Sequence, residues 1–276
     1  MDSLRTLRTL GEELVICRRI AALRLRGQME YRTSFLMQIG GTLLGQSTEL
    51  AALVILFHRF GSLGGWNVGE VIFLHAVSQI IFSLADTISN GVQTIPVTIR
   101  EGEFDRLMIR PVSTWLQAMV NDVSLRHLGM LIQGSILMGW ALWAVPIDWT
   151  AGKVALLLVS IVSGVALFTV IFTIEAIVAF WTVNSIEAVN AFTYGGSDLA
   201  QYPFHIFGRG IRFIFLWIVP IGFVVYYPSL TILDKPDPLG LPGIAPLMAP
   251  LMAALFCAAV GLLWTIGVRH YRSTGS

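Results

Sequence analysis

Residues 153–181 read KVALLLVSIVSGVALFTVIFTIEAIVAFW, and past Lys153 the one charged side chain in the run is Glu175. As a helix this run is about 45 Å long at roughly 1.5 Å per residue, against a hydrocarbon layer of about 30 Å. It reads as a membrane span that tilts or projects past the bilayer. The composition of the whole chain agrees. Of 276 residues 55% are hydrophobic and 13% charged, where soluble globular domains carry about 25% charged residues, and mean hydropathy is +0.73. The expected fold class is an all-α integral membrane protein with one domain built in lipid.

Windows of about 19 residues give six candidate spans, at 34–57, 70–92, 120–144, 153–181, 211–227 and 247–268. Six spans put both termini on one side. With the N-terminus inside, the inner segments hold Arg5, Arg8, Arg18, Arg19, Arg24, Arg26, Arg32, Arg100, Arg106, Arg110, Arg126, Arg209, Arg212, Arg269 and Arg272, and the outer ones Arg59, Lys153 and Lys235. Fifteen against three is a positive-inside bias, so a multi-pass protein of the cell (inner) membrane with cytoplasmic termini is expected. The first apolar run starts too late for a cleavable signal peptide. Cys17 and Cys257 lie far apart without metal or redox spacing, and no disulfide is expected.

The segment 1–33 reads as an amphipathic helix. Leu7, Leu10, Leu14, Cys17, Ala21 and Leu25 share one face and Arg5, Arg8, Arg19 and Arg26 gather opposite. Such a helix lies in the inner interface or packs on another protein. The domain proper is 34–276. Within it Asn184 to Gly210, with Gly195-Gly196, Gly208 and Gly210, reads as an inner-side linker with short helical pieces. Residues 228–247 are rich in proline and read as a partly re-entrant outer element or a plain outer loop.

Between the second and third spans, in a cytosolic loop over 93–115, six charges fall in the eleven residues from Arg100 to Arg110. Phe104, Leu107 and Met108 recur at i, i+3 and i+4, so a two-turn helix there carries an apolar ridge flanked by Glu103, Asp105 and Arg106. Gly102 eases the turn into it, Pro111 ends it, and Thr114 to Gln117 has the form of a capping box for the next helix. Such a ridge either meets a protein partner or belongs to a solvated loop. Asp105 with Arg106 or Arg110 is equally readable as an intrahelical pair.

This block, I-R-E-G-E-F-D-R-L-M-I-R-P, resembles the loop of the ABC-2 type permeases, in particular the paired-permease group, in which an I-R-x-G-x-[LF]-D-x-x-L-x-R-P pattern recurs. Tyr202-Pro203 and the stretch from Val219-Pro220 to Tyr227-Pro228 are similar to that group's Y-P and V-P-x-x-F-x-x-Y-x-P signatures. The arginine-rich N-terminal helix is longer than the pattern requires. The resemblance implies the membrane half of an ABC exporter: two copies of a separate ATPase, a second permease subunit, homologous or identical, and an amphiphilic cargo. The block becomes the coupling helix, with Arg100, Glu101, Gly102, Phe104, Asp105, Leu107, Met108, Arg110 and Pro111 as the ATPase-coupling residues. No cofactor is expected in this chain, ATP and Mg being held by the partner. Consistently, neither Lys153 nor Lys235 stands in a G-x-x-x-x-G-K-[ST] motif.

Glu49, Asp86 and Glu175 fall inside candidate spans, where ionisable groups are costly and default to a substrate path, an interface or a proton relay. The alternative is a neutral carboxyl bonded to a neighbour. Gln46, Ser47 and Thr48, with Ser78, Gln79 and Ser83, make a polar seam between the first two spans plausible on spacing alone. The rival function is an ion-coupled secondary transporter using Glu49 and Asp86. The histidines and serines match no metal or nucleophile motif, so no catalytic or metal residues are assigned, nor any nucleic-acid partner; membrane lipids surround the chain.

Overall fold

The computed structural model describes residues 32–109, 113–122, 127–182 and 186–271. The helix expected over 1–33 lies outside them except for Arg32 and Thr33, as do Arg110 and Pro111. The described residues form α1 (Arg32–Phe60), α2 (Val68–Gln93), α3 (Ile95–Arg100), α4 (Asp105–Met108) and α5 (Thr114–Asn121). There follow α6 (Leu128–Ala144), α7 (Ala151–Ala179), α8 (Ile186–Ala200), α9 (Arg209–Phe213), α10 (Ile221–Val224), α11 (Tyr226–Ile232) and α12 (Ala249–His270). No strand occurs among the described residues. Four stretches are long and apolar enough to cross a membrane, Leu36–Phe60, Val68–Arg100, Ala151–Ala179 and Ala245–His270, or five if a pair of helices bent by 71° counts as one.

Helix α2 is the hub. Of its most apolar window 78% is buried inside the chain, against 6% for α1. Lipid tails are as apolar as leucine, so helices in a bilayer associate by close packing rather than by the hydrophobic effect, and small residues set the approach. A Cβ on Gly91 of α2 would sit 2.0 Å from the Ala118 carbonyl of α5, and one on Gly164 of α7 would sit 2.7 Å from Ile81 of α2. Around these contacts Phe82 meets Phe168, Phe172 and Tyr194 at ring-centroid distances of 5.4, 5.6 and 5.7 Å. The helix starts are set locally. Asn67 and Glu70 form a reciprocal capping box on α2, and Thr150 accepts from the Lys153 N–H to cap α7.

The bundle has two distinct ends. One, the Phe104 end, gathers α3, α4, the start of α5 and the C-terminus of α12. The other, the Trp66 end, gathers the loops at 61–67, 145–150 and 233–248. Lys153 pairs with Asp234 at 2.5 Å there, and Lys235 with Glu70 at 2.9 Å.

Three stretches run differently from the sequence reading, the first being the window at 120–144, which is divided between α5, ending at Asn121, and the 17-residue α6 (Leu128–Ala144). Of the stretch 184–210, read as an inner-side linker, the described residues 186–210 instead run along α2 toward the Trp66 end. Tyr194 donates to Gln93 Oε1 at 3.4 Å, Ser78 donates to the Ser197 carbonyl at 3.4 Å, and His205 lies 2.8 Å from the Gly64 carbonyl. Of the glycines that suggested a linker only Gly196 serves packing, since a Cβ on it would lie 2.8 Å from Ile221 and 2.9 Å from Phe215, whereas Gly195, Gly208 and Gly210 have nothing within 4 Å. The window at 211–227, read as one span, is the bent pair, Arg209–Ile218 followed by Ile221–Ile232. A π turn over Ile214–Ile218 and Pro220 mark the bend, where proline supplies no N–H and local hydrogen bonding shifts register. Both feet of this hairpin reach the same loop, through His205 on Gly64 and Lys235 on Gly65 at 3.2 Å.

Candidate functional site

The charged block is built from two short helices and one turn. Pro96 occupies the first turn of α3, where its missing donor costs nothing. The helix ends in a Schellman motif: Gly102, at φ +71°, donates to the Ile99 carbonyl at 3.2 Å, and Glu103 donates to the Thr98 carbonyl at 2.9 Å. The left-handed residue turns the chain sharply into α4. Phe104 then enters a pocket in the bundle. It is 0% exposed, with ring centroids 5.2 Å from Phe180 beyond α7 and 4.8 Å from Tyr271 beyond α12. Leu107 is buried beside it.

The ridge expected of Phe104, Leu107 and Met108 is therefore divided. Its first two members hold the block to its own membrane helices, while Met108 is 45% exposed and the neighbouring Ile109 83%. Arg100, Glu101, Glu103 and Arg106 are exposed as well, and Gly102 and Asp105 half-buried. Arg106 pairs with Glu103 at 3.2 Å, both well solvated, which is worth a few tenths of a kcal/mol. The capping box expected at Thr114 to Gln117 does not form, because Ser113 is the N-cap residue. Gln117 instead donates to the Leu107 carbonyl at 3.1 Å, fastening α5 to α4, and Thr114 accepts from the Trp264 indole at 3.4 Å. Trp115 donates to Thr173 on α7 at 3.1 Å. Through these bonds the block is braced on α5, α7 and α12 at once.

Asp86 lies just beneath it, 2% exposed. Its Oδ2 is 2.6 Å from Nδ1 of His127, at the start of α6, and its Oδ1 accepts from Gln93 at 2.7 Å. Gln93 in turn accepts from Tyr194 of α8. A chain His127–Asp86–Gln93–Tyr194, buried at its His127 and Asp86 end and exposed at Tyr194, thus joins α6, α2 and α8, with both carboxylate oxygens engaged. In the sequence His127 matches no metal motif and reads as an interface or packing residue; its pairing is invisible there because 41 positions of chain separate it from Asp86.

The other two carboxyls are elsewhere. Glu175 is buried in the half of α7 nearest the Phe104 end. Glu49 stands on the bare face of α1, within electrostatic reach of Asp198 on α8, and Tyr202 feels both charges. The seam between α1 and α2 is present as one bond, Gln79 to Gln46 at 3.3 Å, while Ser47 and Thr48 bond within their own helix. Asp198 goes unread in the sequence, and Tyr202 is read only as part of the Y-P signature, because both lie in the stretch taken for a linker.

A multi-helix membrane bundle with a short braced block of charge at one end fits a transport subunit, and comparison with known families decides which. The model of the ABC-2 family transporter proteins matches residues 43–275. The chain belongs to that family. Comparison with curated proteins and with solved structures gives no match. As an ABC-2 permease the chain is a membrane component of a transport system rather than an enzyme by itself, and the family implies association with an ABC ATPase.

Proposed function

We propose that this ABC-2 permease is the membrane subunit of an exporter that moves an amphiphilic substrate outward, driven by ATP that a separate ATPase hydrolyses. The observation that carries the reading is the charged block: it is pinned from within by Phe104 and Leu107, and offers Arg100, Glu101, Glu103, Arg106, Met108 and Ile109 to the outside. A segment that must receive a push needs both properties. Exposed apolar side chains beside charges match a partner's groove with a charged rim, and rigid anchorage passes displacement on to α5, α7 and α12.

In this reading the crossings are α1, α2 with α3, α5 with α6, α7, α8 and α12, six in all, and 209–232 is a re-entrant hairpin from the outer side. Arg209 and Arg212 then move to the outer side, leaving thirteen basic residues inside against five outside, which still supports cytoplasmic termini. Of the irregular backbone at the hairpin bend, Pro220 and Ile221 are buried in protein while Trp217 and Ile218 are exposed, and such backbone at membrane depth calls for protein or water beside it. The bare face of α1, with Gly41, Gly45, Thr48 and Glu49 unshielded, supports a second permease subunit against it, since a carboxyl in a span needs protein or water beside it. Two ATPase copies follow from two permeases. The ion-coupled alternative loses support from Asp86, whose oxygens are both engaged.

The test is co-purification from mild detergent followed by an ATPase assay, comparing wild type with Met108→Asp/Ile109→Asp. Loss of the ATPase in the variant, with the permease still folded, is the expected result. Wild-type protein that comes down without ATPase activity overturns the proposal.

A further inference from the structure

The hairpin carries a feature that the coupling reading does not use. Arg209 and Arg212 stand one turn apart on α9 and line a cavity of about 350 Å³ together with Phe213, Leu216, Trp217, Leu239 and Leu241. Among the described residues neither guanidinium makes a hydrogen bond or an ion pair, the one bond of Arg212 outside its helix ladder being that of its backbone N–H to the Gly208 carbonyl. Asp237, on the loop that closes the cavity, accepts from the Leu239 N–H at 2.9 Å and the Leu241 N–H at 2.7 Å, which holds that loop, and it forms no ion pair with either arginine among the described residues. Trp217 is 52% exposed, which leaves the apolar wall open sideways.

Two guanidinium groups with unfilled donor forks call for an oxyanion, and phosphate is the geometry they match bidentately. An apolar wall of Phe213, Leu216, Trp217 and Leu241 beside them is wrong for a free, fully hydrated ion and right for one that carries hydrocarbon. The cavity lies at the Trp66 end, where the hairpin's feet meet the 61–67 loop, the level of lipid headgroups if that end is the outer one. We propose that this cleft is a binding site for an anionic phosphoamphiphile, its phosphate held between Arg209 and Arg212 and its chain lying along Trp217. The inference uses the placement of the cleft and stands whether or not the chain works with an ATPase.

Trp217 supplies the reporter. The full chain is placed in phosphatidylcholine nanodiscs containing either phosphatidylglycerol or phosphatidylcholine with brominated chains, and quenching of Trp217 is isolated as the difference between wild type and Trp217→Phe. Phosphatidylglycerol should quench at a lower mole fraction than phosphatidylcholine. Arg209→Gln/Arg212→Gln should weaken that preference about tenfold or more, the loss expected for charge-assisted bonds. Equal quenching by the two lipids in wild type overturns the proposal, and that comparison needs no variant to fold. Inorganic phosphate separates the two sources of the anion: failure to reverse the quench supports an amphiphile, and full reversal overturns it in favour of a bare phosphate site.

Discussion

Phe104→Ala should release the charged block from the bundle without dissolving the bundle. The ring is fully buried against Phe180 and Tyr271 at the Phe104 end, which the proposed topology puts in water, where burial gains its full hydrophobic value. Removing a buried phenylalanine costs about 3–5 kcal/mol, within which the two edge-to-face pairs contribute about 0.5–1.5 kcal/mol each. The ring belongs to a cluster separate from the main core around α2, so the cost falls chiefly on the local equilibrium between docked and undocked block. At about 1.4 kcal/mol per tenfold, the undocked population rises by two orders of magnitude or more. Trypsin reads this directly, because Arg100 and Arg106 are exposed side chains on helical backbone that a protease cannot bind until it opens. Where opening and closing are fast, the cleavage rate follows the open population, so cleavage after Arg106 should accelerate about a hundredfold in Phe104→Ala and much less in Phe104→Leu. Met108→Asp/Ile109→Asp should leave cleavage near wild type while losing the ATPase. An unchanged cleavage rate in Phe104→Ala would refute the claim that Phe104 is the anchor.

Three further outcomes are expected. Gly91→Ala places a methyl group 2.0 Å from the Ala118 carbonyl; backbone cannot give way as a side chain does, so a loss of at least 1–3 kcal/mol should appear as a lowered melting temperature in detergent, and an unchanged melt would contradict the close approach of α2 and α5. A double-mutant cycle of Asp86→Ala and His127→Ala should show a coupling energy of about 1 kcal/mol or more, since each single change leaves a buried polar partner; simple additivity in thermal melts would deny the pair. If the proposed export and permease pairing hold, Glu49→Ala should alter transport or the yield of the complex, and unchanged transport together with unchanged complex yield would remove Glu49 from either role.

Much of this was legible beforehand where one physical signal acted alone. The windows at 34–57, 70–92, 153–181 and 247–268 are read from apolar length, and each lies on one long helix. Legibility failed where two signals conflicted. Gly195 and Gly196 carry the composition of a linker, yet one of them is small because Phe215 and Ile221 press on it. The window at 211–227 has the hydropathy of a span, and hydropathy does not reveal that a π turn and Pro220 fold it back. In the charged block the period placed Phe104, Leu107 and Met108 on a common ridge. It could not say that the bundle itself would take Phe104 and Leu107, because Phe180 and Tyr271 arrive from 76 and 167 positions away. The pairing of Asp86 with His127 was hidden for the same reason.

The hairpin over 209–232 has one mechanical property that follows from where its feet stand. His205 and Lys235 tie them to adjacent carbonyls, Gly64 and Gly65, and Trp66 stacks on Tyr226 of α11 with ring centroids 6.0 Å apart. A flap swings when one foot is free. With both feet riveted to the same short loop, the hairpin tilts only as that loop tilts, and the loop is the hinge pin between α1 and α2. Rotation of α1 in the bilayer is thereby geared to the depth at which Ile218 and Val219 sit beside α7 and α8.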